Sequence, residues 1–279
     1  MTISPNAFSP ASITCFFVPM RGDRPETTVS RGCAITLADG VTAGCDAART
    51  TELVLNGETI AMPPLRRVVD ALAPEPVRME MEARIPLGCG FGVSAGCVLA
   101  GALALDARFD LGRSRAELGM MAHVAEVQER TGIGDVAAQL VGGVVWRRGD
   151  GGPFDCVRLD VPETEVSWHA SRALSTASVL DSEDRVRALE QSGRDALAWL
   201  RANAKRTSVG EILDRSHAFV EDSGLLTDAG VRRRIVDTRN AGGHASMALL
   251  GHTVIATSPA AGDGWTSCPI DRDGARTLP

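Results

Sequence analysis

The chain has 279 residues, with 29 basic against 35 acidic side chains and a net charge of −6 at neutral pH. That length can bury a real core and leaves one large domain or two small ones open. The basic residues are dispersed, with only short runs such as 232–234, which argues against a nucleic-acid partner. The longest apolar run, near 98–105, is too short and too rich in small residues to span a membrane.

In chain order, the N-terminal part reads as short strands and turns, "ITCFFVP" and "CAITLADGVTAGC", with glycines as punctuation. "TELVLNGETI" reads as a hairpin turning at Asn56-Gly57. From Val77 to Ile85 the chain alternates strictly, with Val77, Met79, Met81, Ala83 and Ile85 on one side and Arg78, Glu80, Glu82 and Arg84 on the other. That is a half-buried strand of a mostly antiparallel sheet, ended by Pro86. A glycine-rich turn, "PLGCGFGVSA", then opens an alanine- and leucine-rich helix. A second helix, "SRAELGMMAHVAEVQER", has Ser114 and Glu117 as its capping box. A short helix "DVAAQLVGG" and a strand "VVWRR" follow, and "GDGGP" at 149–153 is the best candidate boundary, dividing the chain into 1–152 and 153–279. Beyond it come a strand "CVRLDV", amphipathic helices near 183–203 and 208–222, and a short helix around 228–239. The sum is α+β in two lobes.

No basic-then-apolar leader precedes this pattern, so the cytoplasm is the default location. Seven cysteines form no C-x-x-C pair and no zinc-like spacing, which favours reduced, buried thiols.

The glycine turn admits three phosphate-binding readings. A Walker A loop needs a lysine beside its glycines, and the single lysine of the chain is Lys205. A Rossmann fingerprint can be forced on Gly90, Gly92 and Ala95. It would need a continuously apolar strand before it, whereas "VRMEMEARI" alternates charge. The third is P-x-x-x-G-x-G-x-S-[AS], met by Pro86, Gly90, Gly92, Ser94 and Ala95. Here backbone amides and a helix N-terminus would hold phosphate, with the Ser94 hydroxyl in reach of a magnesium ion. A turn packed tightly on a neighbouring strand would leave the same pattern.

These residues resemble the second motif of the GHMP kinases, P-x-x-x-G-L-G-S-S-A, with Phe91 for leucine and Val93 for the first serine. Within that family the chain is most similar to the archaeal pantoate kinases. The similar segments are "PASITCFF" at 10–17, "VSRG" at 29–32, "AHVAEVQERTGIGDVAAQLVGG" at 122–143 and "ASMALLGHTV" at 245–254. Ala11 and Ser12 stand where those enzymes carry glycine and histidine, and Cys15 where they carry glycine.

The resemblance implies an N-terminal lobe like the second domain of ribosomal protein S5 and a ferredoxin-like C-terminal lobe. It implies transfer of the ATP γ-phosphoryl group to the primary hydroxyl of pantoate on the archaeal route to coenzyme A. Pro86, Gly88, Gly90, Phe91, Gly92, Val93, Ser94 and Ala95 would hold the nucleotide, and Ser94 and Glu126 a magnesium ion. Asp135 would be the catalytic aspartate, and Ser30, Arg31, His123 and Arg147 would meet the substrate. Gly242, Gly243 and Ser246 would close the C-terminal side. Homoserine, shikimate or a mevalonate-type alcohol as acceptor, and a non-catalytic ligand-binding relative, remain open. The implied partners are ATP and a small alcohol, with no nucleic acid or membrane, and a homodimer is left open.

From local pattern alone, Asp135 reads as an ordinary N-cap and Glu126 as a helix-end carboxylate reaching water, although Leu118, Ala122 and Glu126, spaced four apart, put that carboxylate on an apolar face. His123 lies one helical turn before Glu126, so both are expected to face one cleft.

Overall fold

The computed structural model describes residues 3–172, 183–249, 251–259, 262 and 264–279. Leu250, inside the C-terminal similar segment, lies outside them. Two long strands dominate the first half, β1 (Ala7–Met20) and β2 (Val29–Ala47). They pair antiparallel along nearly their whole length, with register shifts at Pro10/Ala11 and Thr14/Phe16. The sequence suggests shorter strands because glycines interrupt it, but these glycines sit inside β2 where the neighbouring backbone comes close. A Cβ on Gly32 or Gly40 would overlap the carbonyl of Phe16 or Ser9.

The hairpin of β3 (Glu52–Leu55) and β4 (Glu58–Thr59) turns at Asn56 and Gly57, both with positive φ, as its sequence predicts. Helix α1 (Pro63–Leu72) leads into β5 (Val77–Ala83), whose Val77, Met79 and Met81 are buried. β5 lies antiparallel to β2 and parallel to β3. Helix α2 (Val93–Phe109) is apolar on nearly all sides because α1, α3 (Arg115–Glu129), β1 and β2 surround it. The Ser114–Glu117 capping box forms as read.

Helix α4 (Asp135–Val141) and strand β6 (Val144–Arg147) follow, and β6 pairs with both β2 and β7 (Cys156–Leu159). Residues 149–153 therefore form the connection of a hairpin within the first sheet. The chain leaves that sheet after β7 and returns at its end with β12 (Arg276–Thr277) beside β1.

The second sheet has the order β11-β8-β10-β9, built from β8 (Glu165–Arg172), β9 (His244–Met247), β10 (His252–Thr257) and β11 (Thr266–Pro269). Helices α6 (Val209–Asp222) and α7 (Ala229–Asn240) cover it, and α5 (Glu183–Asn203) packs on α6 and β1. The halves are tied by Ser216, whose hydroxyl donates to Cys15 O at 2.7 Å and lies 2.7 Å from Ser246 Oγ. Ser246 is thus a core hydroxyl under β1 rather than part of an open surface. All seven cysteines are free thiols and six are buried.

Candidate active site

Gly88, Gly90 and Gly92 all take positive φ, and Gly92 is the N-cap of α2. A Cβ on Gly92 would overlap Ser12 Oγ and lie 2.9 Å from Gln139 Nε2 and 3.2 Å from the Asp135 carboxyl carbon. So the turn that opens α2 touches the start of α4 with no room for a side chain between them. Phe91, Val93 and Ala95 are buried, whereas Ser94 is partly exposed at the start of α2. The C-terminal half supports the turn from behind, where Thr253 Oγ1 donates to Cys89 O at 2.8 Å.

Glu126 is 2% exposed and accepts a 2.7 Å hydrogen bond from Ser94 Oγ. Burial pushes its carboxyl up to about 7, opposed by the bonds from Ser94 and Thr131 and assisted by the charge of Asp135. It makes no ion pair among the described residues. A buried carboxylate held by a hydroxyl and lacking a cation is a donor set of hard oxygens, which fits magnesium. Protein groups alone do not complete such a site, since no cluster of three or more His, Cys, Asp or Glu among the described residues could hold a metal.

Asp135 is the first helical residue of α4 and does not cap it; Gly134 occupies the cap position. Its Oδ1 accepts from Ser12 Oγ at 2.9 Å. Desolvation raises its pKa, while Arg147 and the hydroxyls of Ser12 and Thr14 pull it back down. A Cβ on Gly132 would lie 2.9 Å from Glu126 Oε2 and 3.7 Å from Asp135 Oδ2, so the two carboxylates flank one glycine beside the start of α2.

The expected substrate residues divide. Ser30 and Arg147 lie on the side of the sheet that faces α4, and a Cβ on Gly134 would overlap the Arg147 guanidinium and lie 2.9 Å from Ser30 Cβ. Arg147 is 2% exposed, donates a long 3.5 Å bond to Thr14 Oγ1, and leaves its Nε without a partner. Arg31, one residue on from Ser30, points to the opposite face, where it pairs with Asp150 at 2.8 Å. His123, expected to share a cleft with Glu126, is instead buried against the β1–β2 connection. Its Nε2 lies 2.9 Å from Thr28 O and 3.2 Å from Pro25 O, where it holds the β1–β2 connection, and burial lowers its pKa. The helical spacing is as expected, but the sequence does not tell which loop covers that face.

Two residues that the sequence does not single out touch these groups, Ser12 on Asp135 and Gln139 on Gly92 O. Ser12 appears in the sequence only as a departure from a family pattern, and Gln139 only as a motif letter. Both are wholly buried, which for polar side chains in apolar runs is the one signal that singles them out.

Comparison with known proteins bears on the family and the fold. Residues 63–143 match the family model of the GHMP kinases N terminal domain. Similar proteins include pantoate kinase of Thermococcus kodakarensis, 36% identical over 239 residues, covering 79% of this chain and 76% of that protein. Pantoate kinase of Methanospirillum hungatei is 28% identical, covering 90% and 86%. A solved "Phosphotransferase related to CoA biosynthesis pathway" superposes with a TM-score of 0.82 at 25% identity, over 98% of this chain and 97% of that one. Mevalonate pyrophosphate decarboxylase of Streptococcus pyogenes, 12% identical, shares the fold with a TM-score of 0.73 over 100% and 99%.

The fold is the two-lobed GHMP kinase fold, and its class is a small-molecule kinase. Within that class the chain belongs to the pantoate kinase family. Among the described residues no helix is long and apolar enough to cross a membrane.

Proposed function

We propose that this protein transfers the γ-phosphoryl group of ATP to the primary hydroxyl of pantoate, giving 4-phosphopantoate for coenzyme A synthesis. The observation that carries the reading is the meeting of Asp135 with the Gly92 turn, which sets a carboxylate against a helix N-terminus. Family membership supplies the acceptor.

In this reading the amides of residues 88–95 and the start of α2 hold the triphosphate, where the helix dipole favours its charge. Ser94 and Glu126 would hold magnesium, which would supply positive charge against the phosphates. Asp135 takes the proton of the attacking hydroxyl, and its acidity is set by the balance of burial against Arg147. The substrate carboxylate meets Ser30 and the Arg147 guanidinium, whose free Nε marks it as a cation with unused donors. His123 acts on the substrate only through the β1–β2 connection that it holds. Arg31, on the other face, is assigned to the Asp150 pair.

ADP release from magnesium·ATP, measured against pantoate, homoserine, shikimate and mevalonate, tests the assignment. Pantoate should exceed the other acceptors in kcat/KM by at least tenfold. Turnover of another alcohol with pantoate inert would transfer the reading to that substrate.

A further inference from the structure

Behind Asp135 runs a buried chain of hydrogen bonds with a single direction. Ser9 Oγ donates to Gln139 Oε1 at 3.3 Å. Gln139 Nε2 donates to Gly92 O at 2.9 Å and to Ser12 Oγ at 3.1 Å. Ser12 Oγ donates to Asp135 Oδ1 at 2.9 Å. Chemistry fixes the direction. A carbonyl only accepts, so the amide must turn its NH₂ to Gly92 O, and its carbonyl then faces Ser9. The second N–H occupies a lone pair of Ser12, which leaves the serine proton aimed at the aspartate. Gln139 lies four residues after Asp135 on α4, so one helix face presents both groups to the glycine turn.

We propose that Gln139 is a positioning residue that couples nucleotide binding to the base. This rests on the kinase reading above. Gln139 fixes the Gly92 peptide where the phosphates are held. Through Ser12 it also holds Asp135 Oδ1, so that Oδ2 is turned toward Gly132. A buried network of this kind can be worth more than the sum of its single links, and a double-mutant cycle apportions it.

A double-mutant cycle on the full chain tests it, with Gln139→Leu, Ser12→Ala and the pair. Gln139→Leu should lower kcat by about tenfold or more and weaken binding of a non-hydrolysable ATP analogue several-fold. Ser12→Ala should lower kcat by a similar factor and leave analogue binding within about twofold. The pair should lose scarcely more kcat than either single variant. Gln139→Met, of similar length, repeats the test if leucine lowers the melting temperature. Losses in kcat that multiply, or analogue binding unchanged in both Gln139 variants, would overturn the proposal. Wild-type protein inert toward pantoate would instead refute the acceptor. The cycle is then read on the alcohol that is turned over, and analogue binding unchanged in both Gln139 variants, which needs no acceptor to observe, overturns the coupling by itself.

Discussion

Replacing Glu126 with glutamine separates a metal ligand from a structural carboxylate, because the two roles predict opposite changes in stability. The carboxyl has an ordinary value of 4.5 and is raised to about 7 in the folded chain. Below pH 4 it is protonated in both states and costs nothing. As the pH rises from 4.5 to about 7 the unfolded chain ionises more readily, so the metal-free fold loses stability, and the loss is complete above pH 7. At ~1.4 kcal/mol for each pH unit, that gap comes to about 3 kcal/mol. Glutamine keeps an acceptor for Ser94 Oγ without the charge. Without magnesium at pH 8, Glu126→Gln should therefore melt up to about 5 °C above the wild type, given an unfolding entropy of ~2.1 cal/mol/K per residue. At pH 4 the two should coincide. With saturating magnesium and an ATP analogue the order should reverse, since a ligand at a hundred times its Kd stabilises by about 2.7 kcal/mol and the variant forfeits much of it. Melting curves at pH 4 and pH 8, with magnesium-nucleotide and with EDTA, carry the test. A variant less stable than wild type at pH 8 without metal would mean that the carboxylate anchors the fold, and the metal assignment would fail.

Asp135→Asn should lower kcat by ~10²–10⁴-fold with nucleotide affinity little changed, and extra magnesium should not rescue it, in contrast to Glu126→Gln, which extra magnesium should partly restore. An active Asp135→Asn enzyme, measured by ADP release, would leave proton loss directly to the phosphate as the remaining route. Arg147→Ala should raise the KM for pantoate by about 10- to 100-fold with the KM for ATP nearly constant, whereas Arg31→Ala should alter neither by more than about twofold. Equal rises in both constants for Arg147→Ala would make it a packing residue. Ser12→Ala removes a hydrogen bond that holds Asp135 ionised, so its pKa rises further and the acid limb of the kcat/KM profile should move to higher pH. An unmoved limb would show that the limb does not report Asp135.

What the sequence made legible follows from how locally each feature is determined. β5 announces itself through period-two alternation, α3 through the Ser114–Glu117 box, and the β3–β4 turn through Asn56-Gly57, each set by neighbours within a few residues. The glycine turn is visible because positive φ at 88, 90 and 92 demands glycine. The length of β1 and β2 is hidden, because a glycine admitting a neighbouring carbonyl looks the same as a glycine in a turn. The link from Ser12 to Asp135 spans 123 positions and that from Ser12 to Gln139 spans 127, so no local pattern records them. The direction of His123 depends on a connection folded back from 95 residues earlier. Arg147 reads as a strand residue, and only the packing of α4 over β6 reveals that it is buried.

Phosphoryl transfer to the primary hydroxyl of pantoate, with Asp135 as base, leaves a distinct signature in the proton-coupled phosphorus NMR spectrum of the product. The protein, magnesium·ATP and pantoate should yield ADP together with one new phosphomonoester resonance coupled to two methylene protons, and the Asp135→Asn variant should form it at least a hundredfold more slowly. ADP accompanied only by inorganic phosphate would mean that no acceptor is phosphorylated, and a phosphoester coupled to the single proton of the secondary alcohol would place the transfer on the wrong hydroxyl.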